Sequence, residues 1–351
     1  MEKQAFIGVD ISKLTLDICL YDSEKYLLEN YLTISNDSKG FSHFLKWLKS
    51  EHFKTNTIAV CMEHTGVYGL EFSRFLESSG IDFMFVPGHE IKYSCGLRRG
   101  KSDKIDARAI SRYCYEKRDR HVYDKPKTAY RLRLQELLTE RRAYVKERKR
   151  IKTYLTEHKN AVNASTGRYT RQLEQISILV KEVETDLLEL IRSDEETFNN
   201  YNLLTTVVGI SLVNAANILL HTDNFKAFDN PRDYACYCGV APFGKQSGTS
   251  IKRADKVSQM ANKQLKADLS QSALAAVRHD PELRLYFERK RASGKHRNNV
   301  LNAIKFKLIQ RMFATVKRGS PYVKLGGYST PKQSLNHSIN HQTINSYENQ
   351  N

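Results

Sequence analysis

Asp103 and Asp106 stand three residues apart in RRGKSDKIDARAI, residues 98–110, an acidic pair inside a run of arginine and lysine. On a helix, positions i and i+3 share a face, so both carboxylates would point one way. A solvated helix face with Asp–Lys pairs is one reading. Half of a cation site that works on phosphates is the other. Two further acids favour the second. Asp10 sits late in the apolar run FIGVDISK, and Glu63 closes the apolar run TIAVCME. A carboxylate in such a strand is costly to desolvate unless it is paired or holds a cation, although a strand-end aspartate can also reach solvent. Acids at the ends of neighbouring strands face a common crevice. Four converging carboxylates repel one another, and hard divalent cations such as Mg²⁺ or Mn²⁺ relieve that repulsion. Two such ions ~3.5–4 Å apart clamp the attacking and leaving oxygens of a phosphodiester.

The remaining composition points the same way. The chain has 351 residues, enough for two or three domains, and a net charge of +17. That excess calls for a polyanionic partner, nucleic acid before membrane, because no basic amphipathic anchor accompanies it. No apolar run approaches the ~18 residues of a membrane span. MEKQAFIGVD leads directly into strand-like sequence, so a cytoplasmic, nucleoid-associated protein is expected. Six scattered cysteines without a C-x-x-C pair read as reduced thiols.

The elements that must position the acids come early. AFIGVDISK, TLDICLYD and YLLENYLTIS have strand character, followed by a helix over SKGFSHFLKWLKSE with Ser38 near its N-cap. TIAVCME is a fourth strand, VYGLEFSRFLESSG a helix ended by Gly80, and IDFMFVP a fifth strand. This pattern predicts a mixed sheet covered by helices. From about Thr128 the chain is dense in charge and free of breakers. Leu173, Ile176, Val180, Val183, Leu187 and Ile191 then recur at spacings of three and four, the seam of a helical hairpin or an intermolecular coiled coil. Beyond Tyr201, helices are predicted over 203–221, 255–279 and 296–319, with a loop-rich passage over 225–250. The polar, Asn-rich end predicts a disordered tail.

GVDISK, MEHTGVYG and GKSDKIDARAI, in this order and spacing, together with YCGVAPFGKQSGTSIK, resemble the DEDD transposases of insertion-sequence family 110, relatives of the Piv-type DNA invertases. The resemblance runs from about residue 5 to 325. It implies an α/β RNase H-like (RuvC-type) N-terminal domain over 1–125 and a long helical hairpin or coiled coil over 126–200. A mainly α C-terminal transposase domain over 201–328 and a disordered tail over 329–351 would follow. It makes Asp10, Glu63, Asp103 and Asp106 the metal-site acids, and Ser247 the catalytic serine of the second domain, with Ser250 in reserve.

Gly248 beside Ser247 lets backbone approach a phosphate, and a serine hydroxyl attacks phosphorus when a metal or base helps remove its proton. A turn serine beside glycine is the plain alternative. Ala261-Asn262 departs from the Gly-Asn usual in the family. TTVVGISLVNAANILL resembles a helix-hairpin-helix that would bind phosphate backbone, although Ser211 replaces a usual glycine; a core helical pair is the alternative. Lys295, His296 and Arg297 read as a phosphate-binding loop. The resemblance further implies donor and target DNA, a structured noncoding guide RNA, and a homo-oligomer, dimer or tetramer. Two rivals stay open: a metal-dependent Holliday-junction resolvase-like endonuclease with water as nucleophile, and a non-catalytic nucleic-acid-binding protein.

Overall fold

Alternation along the first strand divides its residues between two buried faces. The structure, a computed structural model, describes residues 3–23, 30–64, 66–94, 102–158, 164–241, 246–247, 251–252 and 261–323. The chain forms two compact units, Met1–Leu132 and Arg133–Asn351.

In the first unit, β1 (Ala5–Ile11), β2 (Thr15–Asp22), β3 (Tyr31–Ser35), β4 (Ile58–Glu63) and β5 (Asp82–Val86) form one sheet in the order β3-β2-β1-β4-β5. β1–β2 and β2–β3 pair antiparallel, whereas β1–β4 and β4–β5 pair parallel. Ala5, Ile7, Val9 and Ile11 pack on one face against α1 (Ser38–Ser50) and α2 (Leu70–Ser78), through Phe41, Phe44, Leu48, Phe72 and Leu76. On the other face Phe6, Ala59, Cys61 and Met84 meet α3 (Gly88–Ser94) and α4 (Asp103–Glu116), through Ile91, Ala109, Ile110, Tyr113 and Cys114. This is an RNase H-like α/β layer arrangement. Asp37, not Ser38, caps α1, its Oδ1 accepting from the Gly40 amide at 2.8 Å. The Asp37 side chain points back at the helix while Ser38 already has helical backbone. The third strand runs over Tyr31–Ser35; the first part of the stretch expected to be strand, residues 26–29, lies outside the described residues.

The second unit is helical. α5 (Ala129–Glu157), most of which belongs here, folds against α6 (Ala164–Arg192) as an antiparallel hairpin. Ile151, Ile176 and Val180 form its buried seam, Tyr154 and Tyr169 pack with centroids 4.4 Å apart, and the Arg141 guanidinium pairs with Glu184 at 2.6 Å. The period-3.5 seam therefore serves internal packing.

α7 (Glu195–Thr205), α8 (Leu212–Thr222), α9 (Pro231–Tyr237), α10 (Lys263–His279), α11 (Pro281–Ala292) and α12 (Arg297–Arg318) share one core around Leu204, Tyr234, Leu269, Ile304 and Met312. Gly209, at φ +98°, joins α7 to α8, and a Cβ there would come 2.5 Å from the Ser272 carbonyl of α10. The turn of the suspected helix-hairpin-helix is thus packed against α10, as in a core helical pair. α9 lies in the passage expected to be loop, started by Asn230 and Pro231 as N-cap and first residue. His296 is the N-cap of α12, its ring accepting from the Asn298 amide at 3.3 Å, which occupies it structurally. β6 (Gln246–Ser247) and β7 (Ile251–Lys252) form a two-stranded antiparallel ribbon. The expected tail falls outside the described residues.

Candidate functional site

Two strands and one helix position the four predicted acids. Val9 pairs with Met62 in the parallel register, so Asp10 and Glu63 come level at the carboxyl ends of adjoining strands. By alternation both share the sheet face of Phe6 and Gly8, the face that α4 covers. α4 approaches β1 closely because residue 8 is glycine: a Cβ there would lie 2.1 Å from the Ser111 nitrogen and 2.4 Å from the Ala107 oxygen. The first turn of α4 then reaches the end of β1. Ser102 caps it, its Oγ accepting from the Ile105 amide at 3.3 Å, and that turn holds Asp103 and Asp106. The helix N-terminus favours negative charge there.

The electrostatics register this convergence at Asp10. Its carboxyl is pushed up to about 6, first by burial, then by Asp106, Asp103, Glu63 and Asp17. The other three sequence-predicted acids, Asp106, Asp103 and Glu63, therefore all lie near enough to act on the Asp10 carboxyl. A fifth, Asp17, went unnoticed in the sequence. It lies directly opposite Asp10 on β2, buried, and accepts hydrogen bonds from the Tyr31 and Thr33 hydroxyls. The signal was its position: Asp17, Cys19 and Tyr21 alternate onto the α4 face while Leu16, Ile18 and Leu20 take the other. An all-oxygen donor set with one half-buried, proton-avid carboxyl fits a hard divalent cation.

Comparison with known proteins agrees with this architecture. Residues 7–162 match the DEDD transposase model of the IS110 type, and residues 201–288 match a transposase model of the IS116/IS110/IS902 family. The chain belongs to the IS110 family of transposases. Among its relatives, this IS110-family chain is 25% identical over 332 residues to the pilin gene-inverting protein of Moraxella bovis, spanning 92% of the chain and 98% of the relative. The pilin gene-inverting protein of Moraxella lacunata is equally similar over the same extent. A protein of insertion element IS110 from Streptomyces coelicolor is 33% identical over 120 residues, 34% of this chain and 29% of that protein. The first matched segment of the IS110-family chain contains all four predicted acids, and the second contains Ser247.

Ser247 pairs by its backbone with Ile251 in the β6–β7 ribbon, and Gly248 and Ser250 fall outside the described residues. A second group of metal-type ligands lies deeper on the α4 face. Cys61, Cys114 and His121 offer ligand atoms within 4.8 Å of one another, the one trio so close among the described residues. The tightest ligand group is thus not the four acids. Burial holds the Cys114 thiol well above its usual range and pulls the His121 imidazole down, so both favour neutral forms. Sulfur and nitrogen donors suit zinc or cuprous copper, not the hard cations that activate phosphates.

Proposed function

We propose that this IS110-family chain cuts and rejoins DNA strands by phosphodiester transfer, with Asp10, Glu63, Asp103 and Asp106 holding Mg²⁺ or Mn²⁺ and Ser247 as nucleophile. One observation carries the reading: the carboxylates of Asp106, Asp103 and Glu63, from α4 and β4, act on the half-buried Asp10 of β1. Structural ion pairs do not explain it, since no Lys or Arg pairs with these acids among the described residues. A divalent cation bound there would supply charge neutralisation at the phosphate oxygens and lower the pKa of an attacking hydroxyl.

The chain's own residues supply the rest. Asp10 and Glu63 present fixed oxygens from a rigid sheet, and α4 delivers Asp103 and Asp106 at its N-terminus. Ser247 Oγ would form a bond to phosphorus as one DNA oxygen leaves and takes up a proton. The number of phosphodiester bonds stays constant, so the strand can be resealed without an outside energy source. Two relatives are named for gene inversion, which requires strands to be cut and rejoined. The net charge of +17 suits DNA and, by the family resemblance, a structured noncoding guide RNA, acting in a homo-oligomer.

The test is strand cleavage on DNA carrying the element's ends, in Mg²⁺, by wild type and Asp106→Asn. Loss of cleavage with retained DNA binding is the expected result. Undiminished cleavage would remove Asp106 from the site.

A further inference from the structure

Asp17 shares the sheet face of Asp10 and Glu63 and has no part in the chemistry assigned so far. It is only 6% exposed and lies opposite Asp10 in the antiparallel register. Directly opposed residues on such a pair bring their Cβ atoms to ~4.5–5.5 Å, and like charges there destabilise the sheet. A buried carboxylate facing another costs the fold still more when no cation neutralises it. Asp17 makes no ion pair among the described residues.

The fold nonetheless fixes this carboxylate. Tyr31 and Thr33 on β3 both donate hydroxyl hydrogen bonds to the same oxygen, Oδ1, the second at 2.8 Å. Oδ2 accepts none among the described residues. Burial, followed by the bond to Asp17, raises the Tyr31 phenol, so Tyr31 remains a donor. Lys104, the next residue after Asp103, spends its ammonium over the Tyr31 ring, 5.0 Å from the centroid. A link between β2 and β3 alone would need only a neutral acceptor at position 17, because Oδ1 is the atom that takes both hydroxyls.

The geometry points to Asp17 as a fifth carboxylate of the cation site, contributing its charge and its free Oδ2 beside Asp10 while the β3 hydroxyls hold it in place. This rests on the acidic site proposed above and adds a residue to it. Asp17 would meet the cation, not the DNA.

The experiment is Mn²⁺ titration of the full-length protein, followed by the electron paramagnetic resonance of the free ion, for wild type, Asp17→Asn and Asp10→Asn. Asparagine keeps the acceptor for Tyr31 and Thr33 and removes only the charge and one acceptor oxygen. Asp17→Asn should weaken Mn²⁺ binding at least about tenfold. Its melting temperature without metal should stay level or rise, since one repulsion is gone. Unchanged affinity in Asp17→Asn, with binding lost in Asp10→Asn, overturns the inference and leaves the acidic site standing. Unchanged affinity in both variants overturns the site itself. If Asp17→Asn does not fold, the Tyr31→Phe, Thr33→Val double variant decides. It releases the same carboxylate and should weaken binding, whereas wild-type affinity there would count against Asp17.

Discussion

Gly8 of β1 lies directly beneath Ser111 of α4, so close that a Cβ on residue 8 would stand 2.1 Å from the Ser111 backbone nitrogen. Backbone atoms cannot yield as a side-chain tip can, so Gly8→Ala must lift the helix that carries Asp103 and Asp106. Overpacking of this kind costs ~1–3 kcal/mol. Chemical denaturation should show a loss of that size, and Mn²⁺ titration should show weakened binding. Wild-type stability and affinity in Gly8→Ala would mean that α4 is not held by this close approach.

The raised Asp10 carboxyl makes a pH prediction. With a folded-state value of about 6 against an ordinary 3.8, the folded chain holds this proton more tightly than the unfolded one. Its stabilising contribution is complete below about pH 4 and is lost as pH rises through about 6. Metal-free Asp10→Asn should therefore melt above wild type at pH 7, by the equivalent of about 1 kcal/mol once solvent screening is allowed for. The gap should close on acidification to pH 4. Melting curves across that range check it, and a gap that widens in acid would contradict the cause assigned.

The hairpin separates structural from available charge. Arg141 pairs with Glu184, and Arg150 with Glu147, whereas Lys146, Lys149 and Lys152 are exposed at three-residue spacing and make no ion pair among the described residues. Replacing these three lysines by Gln should flatten the slope of log affinity against log salt by ~0.7–0.9 for each phosphate no longer neutralised. Arg141→Gln should instead lower the melting temperature and leave the slope almost unchanged. Equal slopes for the lysine variant and wild type would place nucleic acid elsewhere.

Much of the first unit was legible because local signals agreed. Asp10 and Glu63 each interrupt an apolar strand near its end, and Asp103 and Asp106 follow a serine cap, so their types and places were visible without tertiary information. Asp17 was not. Its acidity looks ordinary until the β1–β2 register sets it opposite Asp10, and register is a long-range property. α9 and α11 escaped for another reason: one spans seven residues and the other is polar on nearly every side, so neither shows a clear apolar stripe. Both nevertheless open on an Asx-Pro cap, Asn230-Pro231 and Asp280-Pro281, the signal that could have found them. The hairpin seam could have served one chain or two. The pairing of Arg141 with Glu184 and of Ile151 with Ile176 and Val180 within one chain came from packing, not periodicity.

The proposed phosphodiester transfer requires both the acids and the Ser247 hydroxyl. Quenching the wild-type reaction with denaturant in Mg²⁺, digesting it, and mapping DNA-linked peptides by mass spectrometry tests this directly. The expected result is a covalent adduct on Ser247 in wild type, with none in Ser247→Ala or Asp10→Asn, although both variants still bind DNA. An adduct on Ser250 would move the nucleophile by three residues. Cleaved DNA with no adduct would contradict the proposed transfer, making water the nucleophile and the chain a resolvase-like endonuclease.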